Sequence, residues 1–487
     1  MKLLKDILYK VSVNAVYGDT NVKVAQVDFD SRKVVKDSLF VAQKGISVDG
    51  HLYIGKAISL GATTIICQEL PIHLEANITF IQVEDSNKTL AIIASNFYDN
   101  PSSKLKLIGV TGTNGKTTVA SLLYQLLKKS GYKTGLLSTV QILVDTTVFN
   151  ATHTTPDSVT INSYLHQMVL LGVDYCFMEV SSHGIHQKRI DGLEFAGGIF
   201  TNLSHDHLDY HVSFASYRDV KKSFFDSLPK TAFALTNLDD KNGNVMLQNT
   251  KARKRSYALK TLADYKAKII EKSFSGTLIS INDTEFWTKL IGNFNAYNLA
   301  AIIGVANELG LEKIEILTII SQLESVSGRF EHLVSDNGVI AIVDYAHTPD
   351  ALKNVLETIN NIRTNNEKLI TVIGCGGDRD KTKRPKMAHI ASQLSTQAIF
   401  TSDNPRTENP ETILEEMEEG VSAKNLKKII TISDRRQAIK TACKFSETGD
   451  ILLIAGKGHE NYQEISGERF HFDDLVEVKK YFNLLKK

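Results

Sequence analysis

The sequence predicts an α/β protein with largely parallel sheets, divided into more than one domain. Three observations carry this. At 487 residues the chain exceeds what one hydrophobic core usually serves, so about two to four domains are expected. Short β-rich runs alternate with helical stretches in two successive blocks, the pattern of strands joined by crossover helices. Between them in character is residues 109–118, GVTGTNGKTT, a Gly-rich turn set between an apolar strand-like run and an amphipathic helix.

The elements follow in order. Residues 1–103 hold strand candidates at 38–42, 62–66 and 79–83, with a helical stretch between the first two. Asn100-Pro101-Ser102-Ser103 reads as a linker. Residues 105–110 read as a buried strand, and Val119, Leu122, Leu123, Leu126 and Leu127 form the apolar stripe of the helix that follows. Further strands are expected at 175–180, 198–202 and 232–235. The Lys- and Arg-rich stretch 251–260 reads as solvated surface. A second alternation begins near residue 335, with strands at 339–343, 369–373, 398–401 and 451–454. Each polar motif of this block falls just past the C-terminal end of a strand, where open α/β sheets bind ligands.

Composition narrows the function classes. Lys and Arg total 56 against 55 Asp and Glu, so no global basic field points to nucleic acid. The 4 cysteines are widely spaced without a CxxC pair, which favours a reducing compartment over a disulfide scaffold or zinc knuckle. Residues 1–18 carry charges within their apolar stretch, and no run approaches a membrane span. A soluble cytoplasmic protein, monomeric by default, is expected.

The motifs supply the chemistry. In the turn, backbone N–H groups and a helix N-terminus attract phosphate, Lys116 reaches the β/γ-phosphates, and Thr117 offers a hydroxyl to Mg²⁺. Val110 stands where the strict G-x4-GK pattern has its first Gly, which points away from common P-loop subfamilies. Glu179, at a strand end, reads as a Mg²⁺ ligand or a surface carboxylate. Residues 201–211, TNLSHDHLDYH, pack three His and two Asp into eleven positions. His207 and His211 are four apart, so a helix would place both on one face as in a zinc site. Lacking a third clear ligand, a loop serving a nucleotide–metal site is preferred, and a His ligand would admit Mn²⁺ beside Mg²⁺. Asn293, Asn295 and Asn298 precede or open an Ala-rich helix and could read adenine or cap it. Thr348-Pro349 reads as a helix start, and Asp344, at a strand end, as free to meet a ribose or a metal-bound water. The loops GCGGDRD (374–380), DNPR (403–406) and AGKGHE (455–460) place guanidinium groups, an amide and carboxylates on one edge, a combination suited to an amino acid.

Taken together these residues resemble the Mur ligases of peptidoglycan synthesis. The likeness runs nearly end to end: Asp30-Ser31-Arg32, Leu39-Phe40-Val41-Ala42, Asp49-Gly50-His51, TGTNGKTT, Thr154-Thr155-Pro156, EVSSHG, TNLSHDHLDYH, GRFE, DYAHTP, GGDRD, DNPR and GKGHE. The resemblance implies three domains: a small α/β UDP-sugar-binding domain at 1–103, a central P-loop ATPase domain with a mostly parallel sheet at 104–334, and a Rossmann-like amino-acid-binding domain at 335–487. It implies an ATP-dependent amide ligase acting through an acyl phosphate.

Carried over by motif, the resemblance gives Thr111, Gly112, Thr113, Asn114, Gly115, Lys116, Thr117, Asn298, Arg329 and Asp344 to ATP. Ser31 would meet the uridine part, and Thr154, Thr155, Ser181, Gln187 and Arg189 the muramoyl dipeptide of UDP-N-acetylmuramoyl-L-alanyl-D-glutamate. Lys116, Glu179, His207 and Lys221 would be catalytic. Thr117, Glu179, His207 and Lys221 would hold metal, with Lys221 as a carbamate; Lys222 is adjacent, and the choice rests on spacing from Tyr217. Arg379, Asp403, Asn404, Pro405, Arg406, Gly456 and Glu460 would take meso-diaminopimelate. In this resemblance the Arg of DNPR goes with diaminopimelate, whose distal carboxylate a guanidinium binds bidentately, whereas it would repel the bare ammonium of L-lysine.

Three alternatives are weaker. A folylpolyglutamate synthetase shares the ATP chemistry but lacks the N-terminal block and the DNPR loop. A nucleotide-switched GTPase would want N-K-x-D, yet Asn87-Lys88 is followed by Thr89-Leu90. A non-catalytic sugar-nucleotide module has no need of Lys116, Glu179 and His207.

Overall fold

The computed structural model describes residues 1–45, 48–204, 206, 210–364 and 366–487, which leaves His207 outside the described residues. Three sheets organise the chain. The N-terminal sheet has five strands in the spatial order Val13–Tyr17, Thr79–Val83, Ala62–Cys67, Ser38–Val41, Gln26–Asp28, parallel except for the first. It matches the expected strands and adds two. His51, of the Asp49-Gly50-His51 motif, is structural: its Nδ1 meets Asp49 Oδ1 at 2.6 Å and its Nε2 accepts from the backbone N–H of Gln68 at 3.0 Å.

The central sheet has eleven strands. Lys106–Thr111, which feeds the Gly-rich turn, lies mid-sheet between Tyr175–Glu179 and Gly197–Phe200, parallel to both. Strands Phe233–Asn237, Arg253–Ala258 and Tyr265–Ser273 continue the parallel run, and antiparallel strands close both edges. All five apolar positions of the predicted stripe on helix Lys116–Lys129 are buried, so the helix packs that face on the sheet. Each such Leu or Val contributes roughly 1.5–3 kcal/mol on leaving water.

Two expectations need correction. The stretch 251–260 is more than surface, because Arg253–Ala258 is an internal strand. Its charged first half hides it: only Tyr257 and Ala258, at its end, are buried, while the Arg255 guanidinium leaves the sheet to meet Glu308 at the end of helix Asn293–Glu308. The segment 100–103 is a fixed turn, with Pro101 and Ser102 buried and the Ser102 hydroxyl accepting from the backbone N–H of Glu194 at 3.0 Å.

The C-terminal sheet has six strands in the order Glu331–Val334, Ile340–Asp344, Ile451–Ala455, Leu369–Ile373, Gln397–Phe400, Ile429–Thr431. Only the first is antiparallel. Because the last strand in sequence, Ile451–Ala455, inserts between Ile340–Asp344 and Leu369–Ile373, the loops after residues 344, 373, 400 and 455 converge on one edge. Thr348 caps helix Pro349–Asn360, accepting from the backbone N–H of Ala351 at 3.3 Å, as the Thr-Pro pair predicts. Beneath this edge Arg435 and Asp474, both 0% exposed, form a bidentate pair at 2.7 and 2.8 Å. Asp474→Ala should cost roughly 3–5 kcal/mol, because it strands a buried guanidinium. Denaturant unfolding reads this, and a loss below about 1 kcal/mol contradicts the assigned packing.

Candidate active site

The phosphate-type turn is built as its sequence demands. Gly112 has φ 149° and Gly115 φ 86°, both in the left-handed region. A Cβ on Gly112 would lie 1.9 Å from Thr201 Oγ1, and one on Gly115 2.8 Å from Asn298 Oδ1. The loop is held from the next strand end: Thr201 Oγ1 donates to Asn114 O at 2.6 Å, Asn202 Oδ1 accepts from Asn114 N at 2.9 Å, and Asn202 O accepts from Thr113 N at 2.8 Å. Thr111 is wholly buried at the end of its strand.

Two ammonium groups meet here. Lys116 Nζ donates to Gly112 O at 3.0 Å and Thr113 O at 2.8 Å. Lys221 Nζ, from helix Phe214–Asp226, donates to the same Gly112 O at 2.9 Å and lies 4.8 Å from the Tyr217 ring centre. Burial, and then the charge of Lys116, hold Lys221 well below the ordinary lysine range. Burial also lowers Lys116, opposed by Glu179 and Asp206. Lys222 turns away to pair with Asp226 at 2.6 Å, so Lys221 is the residue that reaches the loop.

Glu179 is fully buried, and its carboxylate accepts from the Thr139 backbone N–H at 2.7 Å and hydroxyl at 3.2 Å. Thr139 links it to Thr154 Oγ1 at 3.0 Å. Thr155 donates to Glu179 O at 2.8 Å and accepts from Ser181 N at 2.9 Å. The Arg189 guanidinium reaches Thr155 O at 2.6 Å and forks onto Gln187 Oε1 at 2.6 and 3.0 Å. The structure therefore brings Thr154, Thr155, Ser181, Gln187 and Arg189 into one group beside Glu179. Ser31 opens the turn Ser31–Lys33 in the N-terminal block. His211 sits in a bend that precedes helix Phe214–Asp226, its ring 5.2 Å from that of Tyr217. Among the described residues no group of three or more His, Cys, Asp or Glu side chains is placed to hold a metal ion.

The C-terminal sheet contacts the turn directly. Asn114 Nδ2 donates to Asp350 Oδ2 at 3.3 Å, and Arg329 Nη2 to Thr117 Oγ1 at 3.1 Å while stacking 4.4 Å from the Tyr345 ring centre. Asp344 is not free as expected. It is buried and accepts from Phe330 N at 2.6 Å, fixing the GRFE segment, and burial pushes its carboxyl up to about 6. Asn298 bonds to Asn295 Oδ1 at 3.1 Å and faces Gly115.

The loops at the C-terminal edge converge on Asn404. Its Nδ2 donates to Glu460 Oε2 at 2.8 Å, and its Oδ1 accepts from Lys457 Nζ and from Glu464 N, both at 3.0 Å. Asp403 Oδ1 accepts from Asn404 N at 2.7 Å, and its Oδ2 packs where a Cβ on Gly456 would stand, 2.7 Å away. Pro405 O crowds Gly377. Arg406 has φ 52° and is clamped by the hairpin Tyr462–Ile465/Glu468–His471: its N–H donates to Glu464 O at 3.0 Å, and its O accepts from Ser466 N at 2.7 Å. Its guanidinium reaches Gly377 O at 2.6 Å and stands 3.8 Å from Glu464. Arg379 is exposed at the rim beside Asp378, Asp380 and Glu408. Sequence reasoning missed Thr139 and Lys457. Position was the available signal: Thr139 follows a strand end beside that of Glu179, and Lys457 lies between Gly456 and Gly458.

A Gly-rich phosphate-type turn on one largely parallel sheet and a charged loop cluster at the edge of a second place the chain among nucleotide-dependent enzymes of several α/β sheets. Three family models match: "Mur ligase family, catalytic domain" over residues 23–98, "Mur ligase middle domain" over 110–306 and "Mur ligase, glutamate ligase domain" over 328–458. The chain is 54% identical over 485 residues to the UDP-N-acetylmuramoyl-L-alanyl-D-glutamate–2,6-diaminopimelate ligase of Cytophaga hutchinsonii, covering 99% of this chain and 100% of that protein. It is 51% identical over 482 residues to the ligase of the same name from Phocaeicola vulgatus, covering 99% of each. A solved structure of a ligase of that name superposes with TM-score 0.70 at 31% identity, over 100% of this chain and 99% of that one. The folylpolyglutamate synthase of Thermotoga maritima, at 16% identity and TM-score 0.60, covers 81% of this chain and 92% of its own and shares the fold. The chain belongs to the Mur ligase family, whose members are ATP-dependent ligases.

Two outcomes test the site. Gly112→Ala should weaken ADP binding at least about tenfold by calorimetry, since both the φ and the contact with Thr201 forbid a side chain; unchanged affinity contradicts the cradle. For Asp344, whose folded value of about 6 lies above its ordinary 3.8, the folded state binds more protons between those pH values. Stability therefore falls as pH rises through that window, by at most about 3 kcal/mol. Asp344→Asn should flatten the urea midpoint there, and an unchanged slope contradicts the burial.

Proposed function

We propose that this chain adds meso-diaminopimelate to UDP-N-acetylmuramoyl-L-alanyl-D-glutamate with hydrolysis of ATP to ADP and phosphate. The observation that carries this reading is end-to-end similarity, 54% over 485 residues, to a ligase of that name. We assign the sugar nucleotide to residues 1–103, ATP to 104–334 and the amino acid to 335–487.

The chemistry follows from the reactants. A carboxylate resists nucleophiles until its oxygen becomes a leaving group. A D-Glu carboxylate oxygen attacks the γ-phosphorus, the bond to the β–γ bridging oxygen breaks, and ADP departs. The amine of diaminopimelate then attacks the acyl carbon, loses its proton, and expels phosphate as the amide forms. Lys116 and the backbone N–H groups of residues 112–117 neutralise the transferred charge, and Arg189, Ser181, Thr154 and Thr155 position the carboxylate; both effects act through placement and electrostatics.

The donor set suits a hard divalent cation in one form only. Thr117 and Glu179 offer oxygen, and His207 would extend the choice from Mg²⁺ to Mn²⁺. An ammonium on Lys221 repels a cation, while a carbamate there supplies oxygens. Its burial favours the neutral amine that takes up CO2. When bound, the metal would screen the phosphate charge. At the other end, Arg406 would fork onto the distal carboxylate of diaminopimelate, with Asp403 and Glu460 toward ammonium and Arg379 at the rim.

Phosphate release with ATP and the UDP-muramoyl dipeptide should require diaminopimelate and be poorly supported by L-lysine. Arg406→Ala should lower kcat/KM for diaminopimelate by roughly a hundredfold, as loss of a charge-paired fork does. A preference for lysine, or a normal kcat/KM in the variant, refutes the assignment.

A further inference from the structure

Lys457 is 0% exposed, a rare state for a lysine, and it needs compensation from its neighbours. Its ammonium donates to Asn404 Oδ1 at 3.0 Å and lies 3.1 Å from Glu460 Oε2. Asn404 Oδ1 also accepts from the backbone N–H of Glu464 at 3.0 Å. Two donors on this atom fix the orientation of the amide, because a flipped amide would turn its NH₂ group toward both of them. The NH₂ group therefore faces Glu460 Oε2, 2.8 Å away. Lys457, Asn404 and Glu460 close a hydrogen-bonded triangle, roofed by the Tyr462 ring 5.4 Å from the ammonium.

The triangle also sets a charge. Lys457 pairs with Glu460 at 3.1 Å and Arg406 stands 3.8 Å from Glu464, so each of these carboxylates has a cation beside it. Diaminopimelate, with two ammonium and two carboxylate groups, is neutral, whereas L-lysine carries net positive charge. We propose that Lys457 is a positioning and specificity-determining residue of the amino-acid site, orienting Asn404 and Glu460 and neutralising the Glu460 carboxylate so that a dizwitterion is preferred to a cation. This inference rests on the diaminopimelate-adding reading above.

The test measures kcat and KM for diaminopimelate, L-lysine and ATP in the full-length chain and in K457M, K457R and the double variant K457M/E460Q. K457M should raise the KM for diaminopimelate about tenfold or more, as removal of one partner of a buried charge pair does, and leave the KM for ATP within about twofold. Its ratio of kcat/KM for diaminopimelate to that for lysine should move toward lysine. K457R retains the charge and should keep the parental ratio. The double variant removes both charges and should recover a preference for diaminopimelate. A role confined to folding would depress both amino acids in proportion, so K457M with an unchanged ratio overturns the proposal. Should K457M not fold, the double variant decides: lysine preference there overturns the proposal. Absence of diaminopimelate turnover in the parent chain would instead sink the underlying functional reading, so the two failures are distinguishable.

Discussion

Two lysine side chains converge on one carbonyl oxygen, that of Gly112, and much of the site is arranged around this meeting point. Lys116 and Lys221 come from different helices, at 3.0 and 2.9 Å from that oxygen. Such proximity is costly without an anion, and burial depresses both lysines. A triphosphate would be the counter-charge for Lys116, and the left-handed glycines keep the backbone open for it. Thr201 and Asn202 hold the loop through Asn114, so little reorganisation is left for the moment of reaction.

The same loop couples the sheets. Arg329 reaches across to Thr117 and Asp350 to Asn114, so the C-terminal sheet rests on the very loop that would hold the phosphates. Asp344 fixes the backbone at Phe330, beside Arg329. The amino-acid loops sit on the same edge of that sheet. The proposed amide formation requires an amine delivered there to meet a carboxylate activated at the central sheet.

Much of this was legible in the sequence where physics is local. Apolar runs between turns located the strands 106–111, 175–179, 369–373 and 451–455 within a residue or two, and Thr348-Pro349 marked a helix start. The glycines of residues 109–118 announced a phosphate loop because few other roles require that pattern. Tertiary context hid the rest. Arg253–Ala258 looks like surface because its first three residues are charged, and Arg253 and Arg255 find Glu308 far along the chain. Asp344 looks free at a strand end, but its partner is a backbone N–H from a neighbouring segment. Lys457 gave no sign of burial, since Asn404, which fixes its ammonium, lies on another loop. The hairpin Tyr462–His471 gave no sign of its task either, because the constraint it imposes falls on Arg406.

The central claim is that the phosphate loop activates a carboxylate by transferring a phosphoryl group to it. Heavy-oxygen labelling of the D-Glu carboxylate of the sugar-nucleotide substrate tests it most directly, by mass analysis of the phosphate released in one turnover. Transfer of one labelled oxygen into the phosphate is the result expected. Phosphate free of label, formed together with the amide, would contradict the account.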